Sequence, residues 1–63
     1  PSVELEALVP YTAGKLVSRV HDEGEVLSES HTADGTLLKV RVHAELAAEL
    51  RKYEPAAAAV ERL

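Results

Sequence analysis

Residues 25 to 42 read EVLSESHTADGTLLKVRV, two strand-like runs separated by Ala33-Asp34-Gly35. Asp-Gly between runs of β-formers is a strong hairpin signal, because a tight turn needs backbone angles that a residue without a β-carbon reaches most easily. A two-stranded hairpin is marginal in water on its own. The flanking segments therefore have to supply a further strand and covering helices.

The turn leaves two registers open. If Asp34-Gly35 alone forms a two-residue turn, Leu27, Glu29 and His31 share a face with Val42, Val40 and Leu38, which pushes Glu29 into the core. If Ala33-Asp34-Gly35 forms a three-residue loop with Gly35 left-handed, Val26 opposes Val42, Ser28 opposes Val40 and Ser30 opposes Leu38. Glu29 then faces Lys39 on the outer side, a favourable cross-strand pair. Burying an unpaired carboxylate costs more than burying a serine hydroxyl that finds a partner. The second register is therefore the expected one. Its inward serines make this an edge strand with a thin core contact.

Upstream, Val3, Leu5, Ala7 and Val9 alternate with Glu4, Glu6 and Leu8, the period of a half-buried strand. Pro10 ends it, having no N–H for the ladder. Thr12 is placed to cap a helix over about residues 13 to 23. Leu16, Val17 and Val20, with Ala13, form its apolar stripe. Gly24 is expected to close that helix in a left-handed conformation. Downstream, residues 44 to about 53 read as a second helix, with Leu46, Leu50 and Tyr53 facing the core. Glu45 and Glu49 early, and Arg51 and Lys52 late, suit its dipole. Glu54-Pro55 breaks it. Residues 1 to 54 thus form one small domain, and residues 55 to 63 a short helix or a frayed tail.

The order β-α-β-β-α predicts an α+β domain. A right-handed crossover from the first strand to the second leaves room for the third between them, giving sheet order 1-3-2. This is the split β-α-β arrangement of ferredoxin-like folds, lacking the fourth strand. Both helices are expected on the face carrying Val3, Leu5, Ala7, Val26, Leu38, Val40 and Val42. The other face then shows Glu4, Glu6, Leu8, Leu27, Glu29, Leu37, Lys39 and Arg41. Its leucines are either a docking surface or scattered surface residues. Lys15 and Arg19, one turn apart, are either absorbed by Asp22 and Glu23 or form a small basic spot for a partner. The candidate docking residues are therefore Leu8, Leu27, Leu37, Lys39 and Arg41, with Lys15 and Arg19.

The totals exclude several function classes. Sixty-three residues allow one domain. Without cysteine there is no disulfide or thiolate metal site, which fits a reducing compartment. The chain opens on Pro1 with no initiator methionine, as a fragment or processed product does. No apolar run reaches membrane-spanning length, and no signal-peptide pattern is present, so no membrane partner is expected. A net charge of −4 with few aromatics argues against autonomous nucleic-acid binding. His21, His31 and His43 lack the close spacing of a ligand motif, so no metal site is expected. Glu4 and Glu6 read as a solvated strand face rather than an acid/base pair. Gly14-Lys15 lacks the length and the Ser/Thr ending of a phosphate loop. No catalytic residue and no cofactor site can be named in this fragment, so no enzyme is expected within it.

Taken together, Pro10, Gly14, Lys15 and Leu16 at the helix entry, the strand start Glu25-Val26-Leu27, the turn Asp34-Gly35 and the strand end Val40-Arg41-Val42 carry a resemblance. Residues 9 to 50 resemble the C-terminal domain of the HflX family of ribosome-associated GTPases. The resemblance implies a cytoplasmic multidomain parent in which an N-terminal domain and a P-loop GTPase domain, using GTP and Mg, precede this one. It implies the large ribosomal subunit and the parent GTPase domain as partners, and a role in splitting or rescuing ribosomes. None of that family's nucleotide-binding residues fall in this chain. A different reading of the same fold is a free-standing regulatory module that forms a homodimer through the strand 1 edge and binds a small ligand.

Overall fold

The computed structural model describes residues 2–55. Strand β1 (Ser2–Val9) ends where Pro10, at φ −63, leaves the ladder. A 3₁₀ turn, Tyr11–Ala13, leads into helix α1 (Gly14–Glu23). Thr12 was the expected cap, but it sits inside this turn, and no side chain caps α1. The entry is made by backbone instead, with Ala13 N–H donating to the Pro10 carbonyl at 2.9 Å. Gly14 follows at φ −59 and ψ −27, a helical conformation any residue adopts, and nothing lies within 4 Å of where its β-carbon would be. Gly14→Ala should therefore stabilise the domain by about 0.4–1 kcal/mol, by removing unfolded-chain entropy. A rise in the urea midpoint checks this, and a fall contradicts it.

Gly24 ends α1 for a different reason from the one expected. Its backbone is extended, at φ −138 and ψ −167, not left-handed. A β-carbon there would stand 2.5 Å from Val42 Cγ1 and 3.0 Å from the Arg41 carbonyl oxygen. Glycine is required by the close approach of the chain to the sheet as strand β2 (Glu25–His31) begins.

The three-stranded sheet has the order β1-β3-β2, with β3 spanning Thr36–His43. Both neighbours run antiparallel to β3, so β1 and β2 are parallel to each other and α1 is their crossover. This is the split β-α-β arrangement. The β1–β3 ladder is regular from Ser2–His43 to Val9–Thr36.

The β2–β3 register corrects the sequence reading. Val26 opposes Val40, not Val42; Ser28 opposes Lys39, Glu29 opposes Leu38 and Ser30 opposes Leu37. Two features produce this. The loop has four residues, because Thr32 belongs to it and closes it: Thr32 N–H and hydroxyl both donate to the Gly35 carbonyl, at 2.8 and 2.9 Å. The same hydroxyl oxygen accepts from the Asp34 and Gly35 N–H groups, at 3.2 Å each. Leu27 then forms a bulge, the ladder shifting between Val26 and Ser28. Glu29 is thereby moved from the outer face to the helix side, and the serines to the outer face. The expected Glu29–Lys39 pair does not form. β2 still makes a thin core contact, with Val26 its one partly buried residue.

Helix α2 (Ala44–Leu50) runs on into a 3₁₀ turn, Arg51–Tyr53. The core gathers Leu5, Ala7 and Val9 from β1, Leu38, Val40 and Val42 from β3, Val20 from α1 and Leu46, Ala47 and Leu50 from α2. Ala13, Leu16, Val17 and Tyr53 pack against it half-buried, so the apolar stripes of both helices lie on one sheet face. The short helix or tail expected over residues 55 to 63 lies almost entirely outside the described residues. Among the described residues no helix is long and apolar enough to cross a membrane.

Candidate functional site

The outer sheet face carries side chains in cross-strand rows, and no described element covers it. Glu4, Arg41 and Glu25 form one row. Arg41 bridges both edge strands, 3.2 Å to Glu4 and 3.0 Å to Glu25. Glu6, Lys39 and Ser28 form the next, and Leu8, Leu37 and Ser30 the third. Lys39 has no ion pair within 4 Å among the described residues, whereas Arg41 has two. Leu8 and Leu37 are half-buried and directly opposed. Leu27 is 38% exposed. Counting from Glu25 outward and Val26 inward, the bulge sets Leu27 beside Ser28 on the outer side. Exposed ion pairs of the Arg41 kind contribute about 0–1 kcal/mol each, so a partner can displace them at small cost.

On the helix side, Lys15 and Arg19 differ in what they do. Arg19 ties the helices together, donating to Glu23 at 3.2 Å and to Glu49 of α2 at 2.7 Å. These two hydrogen bonds, Glu23's the larger effect, hold the guanidinium above its ordinary range. Glu23 absorbs Arg19 as its spacing suggests, while Glu49 is a partner that sequence distance concealed. Lys15 stands exposed at the rim of a cleft of about 280 Å³ lined also by Ala13, Leu16, Arg19, Glu49, Lys52 and Tyr53.

Each histidine meets a carboxylate. His21 Nε2 is 2.9 Å from one Glu29 oxygen and His31 Nε2 is 3.5 Å from the other. Glu29 tolerates the helix side because β2 lies at the sheet edge and leaves the residue exposed there, beside His21 and His31. His43 Nε2 lies 3.3 Å from Glu23, and its Nδ1 accepts from Leu46 N–H at 3.4 Å, capping α2. A nitrogen that accepts carries no proton, so Nε2 is the donor to Glu23. Histidine is outside the usual cap set, which is why sequence inspection passed over it. Among the described residues no three His, Asp or Glu side chains are arranged to hold a metal ion.

Glu23 is held below its ordinary value of 4.5, first by the Arg19 hydrogen bond and then by the one from His43. A carboxyl that ionises more readily when folded adds stability above that ordinary value. The contribution is lost as pH falls through the lower folded value. Glu23→Gln should therefore flatten the acid limb of stability below about pH 4.5. Urea midpoints measured against pH check this, and parallel limbs in the two proteins contradict it.

Neither a protein-family model nor a curated protein matches this chain. The geometry therefore stands by itself: one sheet face that no described element covers, carrying three leucines and Lys39, and one charged cleft between the helices.

Proposed function

We propose that this chain is the C-terminal docking domain of an HflX-like cytoplasmic GTPase, and that its outer sheet face binds the large ribosomal subunit. The observation that supports this reading is the outer face, which no described element covers, where Leu8, Leu27 and Leu37 share a surface with Lys39, an exposed cation with no acidic partner within 4 Å among the described residues. The residue resemblance over positions 9 to 50 supplies the partner. On this reading GTP and Mg belong to a separate domain of the parent protein, because this chain carries no glycine-rich phosphate loop. Its task is to place that domain on the subunit, and ribosome splitting or rescue follows from hydrolysis elsewhere.

The test is co-sedimentation of the chain with purified large subunits. A Leu27→Ser, Leu37→Ser double variant and, separately, Lys39→Glu should each weaken binding while the circular dichroism spectrum stays unchanged. Undiminished binding by both variants removes the outer face as the docking surface.

A second reading is supported by the β1 edge. Eight consecutive residues pair regularly with β3 and no bulge protects the strand's other side, unlike β2. Pairing β1 with a second copy would make the free-standing, ligand-binding dimer. It also brings Glu4 and Glu6 near their own counterparts, a like-charge cost that favours the first reading. Sedimentation equilibrium decides it, since a monomer at high concentration excludes the dimer.

A further inference from the structure

We propose that the cleft between α1 and α2 is a second docking site, distinct from the outer sheet face, and that it takes a short acidic, apolar-bearing peptide segment of a partner protein. The cleft has two chemical parts. Its floor is apolar: Ala13, Leu16 and Tyr53 are half-buried against the core. Its rim carries Lys15, Arg19 and Lys52 against Glu49, three cations and one anion, so the lining is net +2 in a chain of net −4. Arg19 is already engaged by Glu23 and Glu49. Lys15 and Lys52 are exposed and have no ion pair among the described residues. Two unpaired cations flanking an apolar floor match a segment that offers a carboxylate to each lysine and an aliphatic side chain between them.

Size and charge select among occupants. A cleft of about 280 Å³ is at the lower limit for organic ligands, so it accepts one or two side chains rather than a cofactor. A bare anion gains nothing from the apolar floor. A nucleic-acid strand needs a row of cations along its backbone, and here the third cation, Arg19, is already paired with Glu23 and Glu49. The site lies on the helix side and does not depend on the ribosome reading.

The experiment is a titration of the isotope-labelled full chain with a short peptide of alternating glutamate and leucine, followed by amide chemical shifts at low salt. Shifts at Ala13, Leu16 and Tyr53 are expected, and they should weaken as salt rises. Lys15→Glu and Lys52→Glu should each weaken binding by about two- to fivefold, the scale of one exposed pair. Lys39→Glu should leave it unchanged, which keeps this site separate from the outer face. The double variant Lys15→Glu, Lys52→Glu should instead bind an alternating lysine–leucine peptide, which shows that the variants remain folded. Equal binding of a glutamine–leucine peptide overturns the proposal, because the lysines then contribute nothing. So do tighter binding of a uridine oligonucleotide, displacement by inorganic phosphate, or the same shifts appearing on concentrating the chain alone. No shift at millimolar peptide also overturns it.

Discussion

Leu38→Ala should leave a large share of molecules unfolded at 25 °C. Leu38 is fully buried at the centre of the middle strand, opposite Ala7 on one side and Glu29 on the other. Truncating such a side chain removes its transfer energy and leaves a cavity, about 2–5 kcal/mol in comparable cores. A chain of 63 residues has a total stability of only about 3–9 kcal/mol at typical values per residue. The loss is thus of the same order as the whole. With a urea slope of about 1 kcal/mol/M for a small protein, the midpoint should fall by about 2 M or more. Leu37→Ala, one residue away on the outer face, should cost under about 1 kcal/mol, because the side chain is only half-buried. Equal midpoints for the two variants would contradict the assignment of faces.

The second large effect is at the hairpin loop. Gly35 has φ +154, which L side chains rarely adopt. A β-carbon there would lie 2.4 Å from the Val9 carbonyl oxygen, 2.9 Å from Val9 C and 3.0 Å from Pro10 Cα. All three are backbone atoms of β1 and its exit, so no side-chain rotation relieves the clash. Gly35→Ala should cost about 2–5 kcal/mol from backbone strain and overpacking combined. The same loop is also held by Tyr11, whose hydroxyl donates to the Thr32 carbonyl at 2.6 Å. Tyr11→Phe removes only that bond, about 0.5–1.5 kcal/mol. Urea unfolding of both variants measures the difference. A Gly35→Ala protein as stable as Tyr11→Phe would mean that the loop does not approach β1 so closely.

The fold was legible where periodicity decides it. Alternation in β1 and β3 placed Leu5, Ala7, Leu38, Val40 and Val42 on the core face, and they are buried. The stripes Leu16–Val17–Val20 and Leu46–Leu50 turned both helices to that face. The sheet order followed from the crossover and the hairpin together.

What failed was register, and its causes are local. A bulge at Leu27 has no glycine or proline to announce it. Thr32 reads as a strand residue, although its hydroxyl organises the loop. Turning Glu29 to the helix side does not bury it: β2 is a thinly covered edge strand, and Glu29 stays exposed with His21 of α1 beside it. Of the candidate docking residues, Leu8, Leu37 and Lys39 were placed on the outer face by alternation alone. The double engagement of Arg19 depended on Glu49, thirty positions away, which no local spacing reveals.

The proposed contact between the outer sheet face and the large ribosomal subunit can be read from lysine reactivity. The chain has three lysines: Lys39 on that face, and Lys15 and Lys52 at the helix cleft. Amine-reactive labelling of the chain, with and without saturating large subunits, reads all three at once. Lys39 should become protected while Lys15 and Lys52 keep their reactivity. Unchanged labelling of Lys39 in the presence of subunits would contradict it.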